Sequence, residues 1–388
     1  MTYPEPKGSR VAAYAANLLK IIIAVGIVYW LVVSKSIRLE YLYVSHENIY
    51  LLIYSILVIA VAVNLSALRI GILLRGAGIG LGFHKCLKIN IIMYFFSQCV
   101  LGAASGDVAR FFYIMRETGH KAEAGAAVLI DRIIGLMGLF MLAGLGMVLN
   151  WQLVEAAERL RIIATPLLAI LCFIWLVFLL GFLALVKGRI TALVVGCGIS
   201  GCLLLLCSFS SSAYVASEIG PALFAASTAA LIAPIVSPEF APEGFIYRRV
   251  LGRSRLGSKI ADLTAAVFVY RNSFPALGIT IIFTAAQHLL MIYSLYLFSQ
   301  VLNLPAVPDF GQVFFAGPPA FLAGIIPAPA AGLGVNEAAF DVMLELISNG
   351  VITAGASIYL MQRIWLTVLS LGGLPFIFKL KGKTVEPE

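Results

Sequence analysis

Ionisable side chains are scarce in this sequence, and several of them lie inside apolar runs. Asp131 and Arg132 stand side by side within the apolar stretch 125–149. An ionisable residue at membrane depth is costly unless it has a partner, and by default it indicates a functional site. The alternative is a structural salt bridge that locks two helices together.

A second group of charges follows the short apolar run 89–104. Asp107 and Arg110 are three residues apart, so one helix face can carry both. If 89–104 crossed the membrane, the basic residues that follow, such as Arg116, would lie outside, against the rule that positive loops are cytoplasmic. A re-entrant hairpin over 89–112, entering and leaving on the cytoplasmic side, removes the conflict. A plain surface helix with a weak salt bridge is the alternative.

The stretch 326–337 separates two further apolar runs and contains two prolines and two glycines. They are Pro327, Pro329, Gly332 and Gly334. Proline cannot donate a backbone hydrogen bond and glycine tolerates unusual backbone angles, so a continuous transmembrane helix cannot pass through this stretch. Broken backbone inside a bilayer persists only where protein or a water-filled cavity satisfies the freed groups. We predict a half-helix, a break and a half-helix over 310–347, opening outward, with an extramembrane loop as the alternative.

Polar residues beyond this break extend the candidate site. Asn336 is predicted to be the helix N-cap, with Glu337 in the first turn, where a negative charge suits the helix dipole. Asp341 follows Glu337 by four residues and shares its helix face. A buried carboxylate needs a basic partner, and the candidates for Glu337 are Arg363, in the last apolar run, and Arg132.

The composition places these residues in a membrane protein. The chain of 388 residues is 61% hydrophobic and 12% charged, with a mean hydropathy of +1.00. Repeated apolar runs of about 20 residues are typical of helices that cross a bilayer. We therefore predict an all-α polytopic membrane protein with about eight full transmembrane helices plus two re-entrant, broken helical hairpins in inverted arrangement. The predicted full spans lie near 12–33, 49–70, 125–149, 162–186, 190–209, 219–236, 276–300 and 351–378.

Residues 1–388 are predicted to form a single integral membrane domain with a cytoplasmic basic loop at 237–275. Within this loop, 259–271 is an amphipathic segment that we expect to lie on anionic lipid headgroups. Lys and Arg gather in loops, which explains the net charge of +8 without nucleic acid and puts both termini in the cytoplasm. The six cysteines form no CxxC pair and no ATP-binding motif is present, so no cofactor is expected.

Three motifs together resemble a known family. They are Ser105-Gly106-Asp107-x-x-Arg110, Asp131-Arg132-x-x-Gly135 and Ile326-Pro327-x-x-x-x-Gly332-Leu333-Gly334-x-x-Glu337. In order and spacing they are similar to the motif series of the lysylphosphatidylglycerol synthase transmembrane, or flippase-like, family. The chain departs from the family pattern at Ser105, Asp131 and Ala331, where the family commonly has Gly, Glu and Gly.

The resemblance implies lipid translocation without lipid aminoacylation, because no aminoacyl-transferase domain follows residue 388. The implied substrate is a polar or aminoacylated phospholipid, or a lipid-linked headgroup, moved between leaflets. Membrane lipids are the expected partners, with a homo-oligomer left open and no nucleic acid. The expected location is the cytoplasmic (inner) membrane of a bacterial or archaeal cell.

The candidate substrate-binding residues divide by charge. Arginines and the half-helix N-terminus would meet phosphate, and carboxylates would meet a cationic or hydroxylated headgroup, in a polar cavity between the two hairpins. The set is Asp107, Arg110, Asp131, Arg132, Asn336, Glu337, Asp341 and Arg363. The rival function is a membrane-embedded transferase or hydrolase that acts on a lipid-linked substrate with the same carboxylates as acid and base. We find no catalytic motif that favours it, and a scaffold without transport would leave the buried charges unexplained.

The charge pattern predicts on which side of the membrane two segments lie. Segments 105–124 and 237–275 are basic, so a cysteine-accessibility scan should label both only from the cytoplasmic side. A cysteine at residue 116 tests the first hairpin, and a cysteine at residue 306, in a predicted external turn, is the control of opposite sidedness. Labelling of residue 116 from outside would rule out the re-entrant path.

Overall fold

The computed structural model describes residues 44–99, 103–156, 270, 273–324 and 333–379. Every regular element in these ranges is helical, as the composition predicts. After a 3-10 turn at His46–Asn48, the helices are α1 (Ile49–Gly76), α2 (Phe83–Cys99), α3 (Ala103–Thr118), α4 (Lys121–Leu149), α5 (Trp151–Ala156), α6 (Phe274–Val301), α7 (Phe310–Ala323), α8 (Val335–Ile347), α9 (Gly355–Leu371) and α10 (Leu374–Lys379).

Three helical stretches among the described residues are long and apolar enough to cross a membrane. They are His46–Gly76, Lys121–Leu149 and Pro275–Val301, and they coincide with the spans predicted near 49–70, 125–149 and 276–300. Along α1, the exposed side chains Ile53, Leu57 and Val61 recur every fourth residue, which is the apolar stripe expected on a lipid-facing helix surface. The chain is therefore a multi-pass membrane protein.

Four other predicted spans, near 12–33, 162–186, 190–209 and 219–236, lie outside the described residues. The last predicted span, 351–378, is not one continuous helix. It is divided into α9 and α10 at Gly372 and Gly373. Gly373 lies against the backbone of α2, since a Cβ there would stand 3.2 Å from the amide nitrogen of Ile92. The interruption thus lies where the chain packs closely against a neighbouring helix.

Both predicted breaks fall between helices. α2 ends at Cys99 and α3 begins at Ala103, and these two helices pack closely, since a Cβ on Gly106 would stand 2.8 Å from the carbonyl oxygen of Met93. α7 ends at Ala323 and α8 begins at Val335. The chain at 100–102 and 325–332 lies outside the described residues, so the re-entrant path of each hairpin stays a prediction.

The start of α8 differs from the prediction. The N-cap is Gly334, with φ of 90°, and not Asn336, which lies inside the first turn. Only glycine adopts this left-handed backbone conformation without strain. Gly334 therefore places the helix start two residues earlier than the N-cap preference of asparagine indicates.

The chain divides into two compact units. The first unit contains the described residues 44–60, 91–99, 103–109, 292–324 and 333–379, and in it α7 packs against α8 and α8 against α9. The second unit contains 61–90, 110–156, 270 and 273–291. Helices α1, α2, α3 and α6 each contribute residues to both units. Each unit has its own buried group of charged side chains.

The close approach of α8 and α9 gives a test of the packing. A Cβ added at Gly355 would lie 2.6 Å from Cα of Asp341, a backbone atom that cannot yield unless the helices separate. We expect Gly355→Ala to lower the free energy of unfolding by about 1–3 kcal/mol, measured by denaturant unfolding in detergent.

The matched control is Gly135→Ala, in the interior of α4. There the new Cβ meets no described atom within 4 Å, so the better helix propensity of alanine should raise stability by about 0.5–1 kcal/mol. Equal stabilities of the two variants would contradict the packing described for α8 and α9.

Candidate functional site

The first charged cluster lies in the second unit, around the carboxylate of Asp131 on α4. Arg69 on α1 donates from Nε to Oδ1 at 2.6 Å and from Nη2 to Oδ2 at 2.9 Å. Arg110 on α3 donates from Nη1 to Oδ2 at 2.6 Å. All three residues are buried. One carboxylate therefore holds two arginines that come from two different helices.

Neutral side chains accept further hydrogen bonds from the two arginines. Arg110 donates from Nη2 to Oδ1 of Asn90 on α2 at 2.5 Å, and Arg69 donates from Nη1 to Oγ1 of Thr284 on α6 at 3.1 Å. Asn90 is oriented in turn by donating from Nδ2 to the carbonyl oxygen of Val63 at 3.0 Å. Side chains from five helices thus form one hydrogen-bonded network around the carboxylate of Asp131. We call Arg69, Arg110 and Asp131, with Asn90 and Thr284, the Asp131 cluster.

The charges of the Asp131 cluster do not balance. Among the residues that the structure describes, two guanidinium groups and one carboxylate leave one net positive charge, since Asn90 and Thr284 are neutral. In addition, Nε of Arg110 is buried and has no hydrogen-bond acceptor among the described residues. A single arginine would have sufficed to neutralise Asp131, and a surplus buried charge is unfavourable. The cluster is therefore more cationic than a structural lock requires.

The neighbouring helix surfaces approach closely because a glycine faces the site. A Cβ at Gly138 on α4 would stand 2.9 Å from Cγ2 of Thr284 and 3.1 Å from Nδ1 of His288 on α6. Nδ1 of His288 is buried and has no hydrogen-bond partner in the described ranges. His288 is thus the titratable side chain next to the Asp131 cluster on α6.

The end of α1 beyond Arg69 is held by two hydroxyl groups. The Tyr270 hydroxyl donates to the carbonyl oxygen of Leu73 at 2.8 Å, and the Ser273 hydroxyl donates to that of Gly76 at 2.8 Å. Burial first, and then the negative charge of Asp131, raise the pKa of the Tyr270 phenol, so it remains a protonated donor. Tyr270 is the described part of the predicted amphipathic segment 259–271, and its side chain is fully buried.

The second charged cluster lies in the first unit, at the start of α8. The carboxylate of Glu337 is fully buried and uses both of its oxygens. Oε1 accepts from Nη1 of Arg363 on α9 at 3.0 Å, and Oε2 accepts from the backbone amide of Gly334 at 2.8 Å. This pair is balanced in charge. It both joins α8 to α9 and satisfies an amide at the helix start that would otherwise lack an acceptor.

Two further polar contacts join the same helices. Oδ1 of Asp341 accepts from the backbone amide of Ala356 at 3.2 Å, which places a negative charge at the N-terminal end of α9. Nδ2 of Asn336 donates to the Tyr359 hydroxyl at 2.9 Å, while its Oδ1 is buried without a hydrogen-bond partner among the described residues. The side chain of Asn336 thus links α8 to α9 instead of capping its own helix.

The structure places most of the predicted site residues in one of these two clusters. Arg110 contacts Asp131 in the second unit, and Arg363 contacts Glu337 in the first. Asn336 and Asp341 make separate contacts between α8 and α9. The prediction that Glu337 has a basic partner is confirmed, and the partner is Arg363. Asp107 and Arg132 are half-buried, and their part in a site stays a prediction.

Three members of the Asp131 cluster are not among the predicted site residues: Arg69, Asn90 and Thr284. Arg69 lies at the end of the predicted span 49–70, where a basic residue is typical of the start of a loop, whereas α1 continues to Gly76. An acidic residue in an apolar helix needs a basic partner, and this need could have indicated Arg69 as a candidate partner of Asp131. Asn90 and Thr284 carried no such signal, because neutral polar residues occur at many helix contacts.

Comparison with known proteins supports the resemblance seen in the motifs. Residues 17–195 match the family model described as the lysylphosphatidylglycerol synthase TM region. Over these residues, which are just under half of the chain, the protein is similar to that family. The matched region includes Arg69, Asn90, Arg110 and Asp131, whereas Glu337 and Arg363 lie beyond it. Comparison with curated proteins and with solved structures gave no match. Among the described residues, no group of three or more His, Cys, Asp or Glu side chains could hold a metal ion.

The Glu337–Arg363 pair can be tested by a double-mutant cycle. Glu337→Gln and Arg363→Gln each leave a buried charge without its partner, so each single variant should lose about 3–5 kcal/mol of unfolding free energy. The double variant should lose clearly less than the sum. The control is the exposed pair Lys85–Glu117, with the nitrogen and oxygen 2.8 Å apart, whose disruption should change stability by about 0–1 kcal/mol. Additive losses at Glu337 and Arg363 would contradict the ion pair.

Proposed function

We propose that this protein is a membrane lipid translocase that moves a polar headgroup, as part of its lipid, between leaflets. The observation that supports this function is the Asp131 cluster, a buried group of side chains with a surplus positive charge in a membrane-spanning chain. Ionisable residues within membrane-spanning helices are rare and mark substrate or ion pathways. The description of the family, which refers to the membrane region of a lipid synthase, agrees with a lipid substrate.

The proposed architecture has about eight full spans and two re-entrant hairpins in inverted arrangement, with both termini in the cytoplasm of a bacterial or archaeal cell. The interruptions between α2 and α3 and between α7 and α8 support it. Transporters commonly build the substrate site from discontinuous helices, because a broken helix offers free backbone groups and helix ends to a charged ligand.

The roles proposed for the side chains follow their hydrogen bonding. Arg110 and Arg69 are the first choices for a lipid phosphate, because together they carry more positive charge than Asp131 neutralises. Arg363 is less suited to this role than its position in the sequence indicated, since Glu337 already neutralises it. Asp341 remains a candidate for a cationic or hydroxylated part of the headgroup. Arg132, Asp107 and Asn336 are proposed as secondary contacts.

The translocase and the membrane-embedded enzyme differ in what they do to the lipid. In proteoliposomes, we expect wild-type protein to move a labelled phospholipid between leaflets without changing its headgroup. Arg110→Gln should slow this movement about tenfold or more, because it removes a charge-assisted contact. Quenching of the label measures how much lipid is exposed in each leaflet, and mass spectrometry detects any change in the headgroup.

Lys85→Gln is the control for this experiment, because it also removes one positive charge, but from an exposed pair. It should leave the rate unchanged. Protein-dependent conversion of the headgroup would favour the enzyme instead, and an unaltered rate for Arg110→Gln would remove the Asp131 cluster from the transport path.

A further inference from the structure

The surplus charge of the Asp131 cluster restricts the ligand that the cluster can accept. We infer that Arg69 and Arg110 form an anion site for one singly charged phosphodiester, and that Asp131 sets this selectivity by cancelling the charge of one arginine. The inference rests on the proposed function for its lipid substrate, but the site itself is defined by contacts within the second unit. Arg69 and the role of Asp131 in charge selection have no counterpart in the sequence motifs.

The hydrogen bonding of Arg110 leaves one of its nitrogen atoms available to a ligand. Its Nη1 and Nη2 groups donate to Asp131 and Asn90, whereas Nε is buried without an acceptor among the described residues. Arg110 is only 2% exposed, so bulk water does not meet this need. A buried donor without an acceptor is unfavourable, and a phosphate oxygen matches the planar donor fork of a guanidinium group.

The choice between anions follows from the charge count. One surplus positive charge is neutralised by one phosphodiester, which carries a single negative charge. A phosphomonoester carries close to two at neutral pH and above, so it would leave a negative surplus in the same buried place. An uncharged lipid would leave the positive surplus as it is. Because an uncompensated charge at membrane depth is costly, the phosphodiester is the favoured ligand.

The test changes the charge of the cluster in single steps. Arg69→Gln gives no net charge, Asp131→Asn gives two positive charges, and the double variant restores one. Each purified protein, in an uncharged detergent, is titrated with phosphatidylglycerol, phosphatidic acid and diacylglycerol, and the bound lipid is counted by native mass spectrometry. The titrations are run at about pH 8, where the phosphomonoester of phosphatidic acid carries close to two negative charges.

Wild-type protein should bind phosphatidylglycerol, with one phosphodiester charge, in preference to phosphatidic acid, a phosphomonoester. Arg69→Gln should weaken the binding of phosphatidylglycerol about tenfold or more, and Asp131→Asn should shift the preference towards phosphatidic acid. The double variant Arg69→Gln/Asp131→Asn should keep the wild-type order. Lys85→Gln, at the exposed pair, should bind both lipids as the wild type does.

Arg69→Lys keeps the charge and is the comparison if Asp131→Asn does not give folded protein. It should retain most of the binding of phosphatidylglycerol that Arg69→Gln loses. Wild-type affinity and preference in both Arg69 variants would overturn the inference. Soluble glycerophosphoglycerol distinguishes the source of the phosphodiester, because binding as tight as that of the lipid would make this a site for a free anion and overturn its assignment to a lipid headgroup.

The proposed function and the anion site can fail separately. Charge-dependent lipid binding without movement between leaflets would support the anion site and refute the translocase. Movement of lipid by a protein whose binding does not respond to the cluster charge would leave the translocase and refute the anion site.

Discussion

The buried carboxylate of Asp131 is the contact on which the second unit depends. It accepts three hydrogen bonds from two arginines, and the neutral partners of those arginines lie on two further helices. Lipid chains are as apolar as the side chains they surround, so helices in a membrane gain little from hydrophobic burial against one another. A charged contact of this kind fixes helix positions that apolar packing would leave adjustable. Loss of the Asp131 carboxylate would leave two buried guanidinium groups without their negatively charged partner.

The two clusters solve the cost of a buried charge in different ways. Glu337 and Arg363 neutralise each other, and the remaining oxygen of Glu337 satisfies the amide of Gly334 at the start of α8. Every charge there has a partner, which suits a contact that holds a broken helix in place. The Asp131 cluster keeps one positive charge and, on Arg110, a buried Nε atom without an acceptor among the described residues. The difference lies in charge balance and not in burial, because both clusters are almost fully enclosed.

Much of the fold follows from the sequence, because apolar length and helix-breaking residues act locally. The three long helices and the interruptions before Ala103 and Val335 lie where apolar runs and clusters of proline or glycine place them. The start of α8 was predicted two residues late, because the left-handed conformation of Gly334 overrides the capping preference of Asn336. Where the last span is divided, Gly373 likewise lies in close contact with another helix, α2. Such contacts are not encoded in any one stretch of sequence.

Only some residues of the candidate site could be predicted from the sequence, because contacts between distant segments determine the others. Asp131, Glu337 and Arg363 stand out as charges in apolar surroundings, and two of them do pair with each other. Arg69 was hidden because a cation at the end of an apolar run is ordinarily taken as the start of a loop. Here the last turns of α1 are held in place beyond Arg69, where Tyr270 donates to Leu73 and Ser273 donates to Gly76. That support comes from a segment about 200 residues away in the chain, and it keeps Arg69 on a helix and therefore within reach of Asp131.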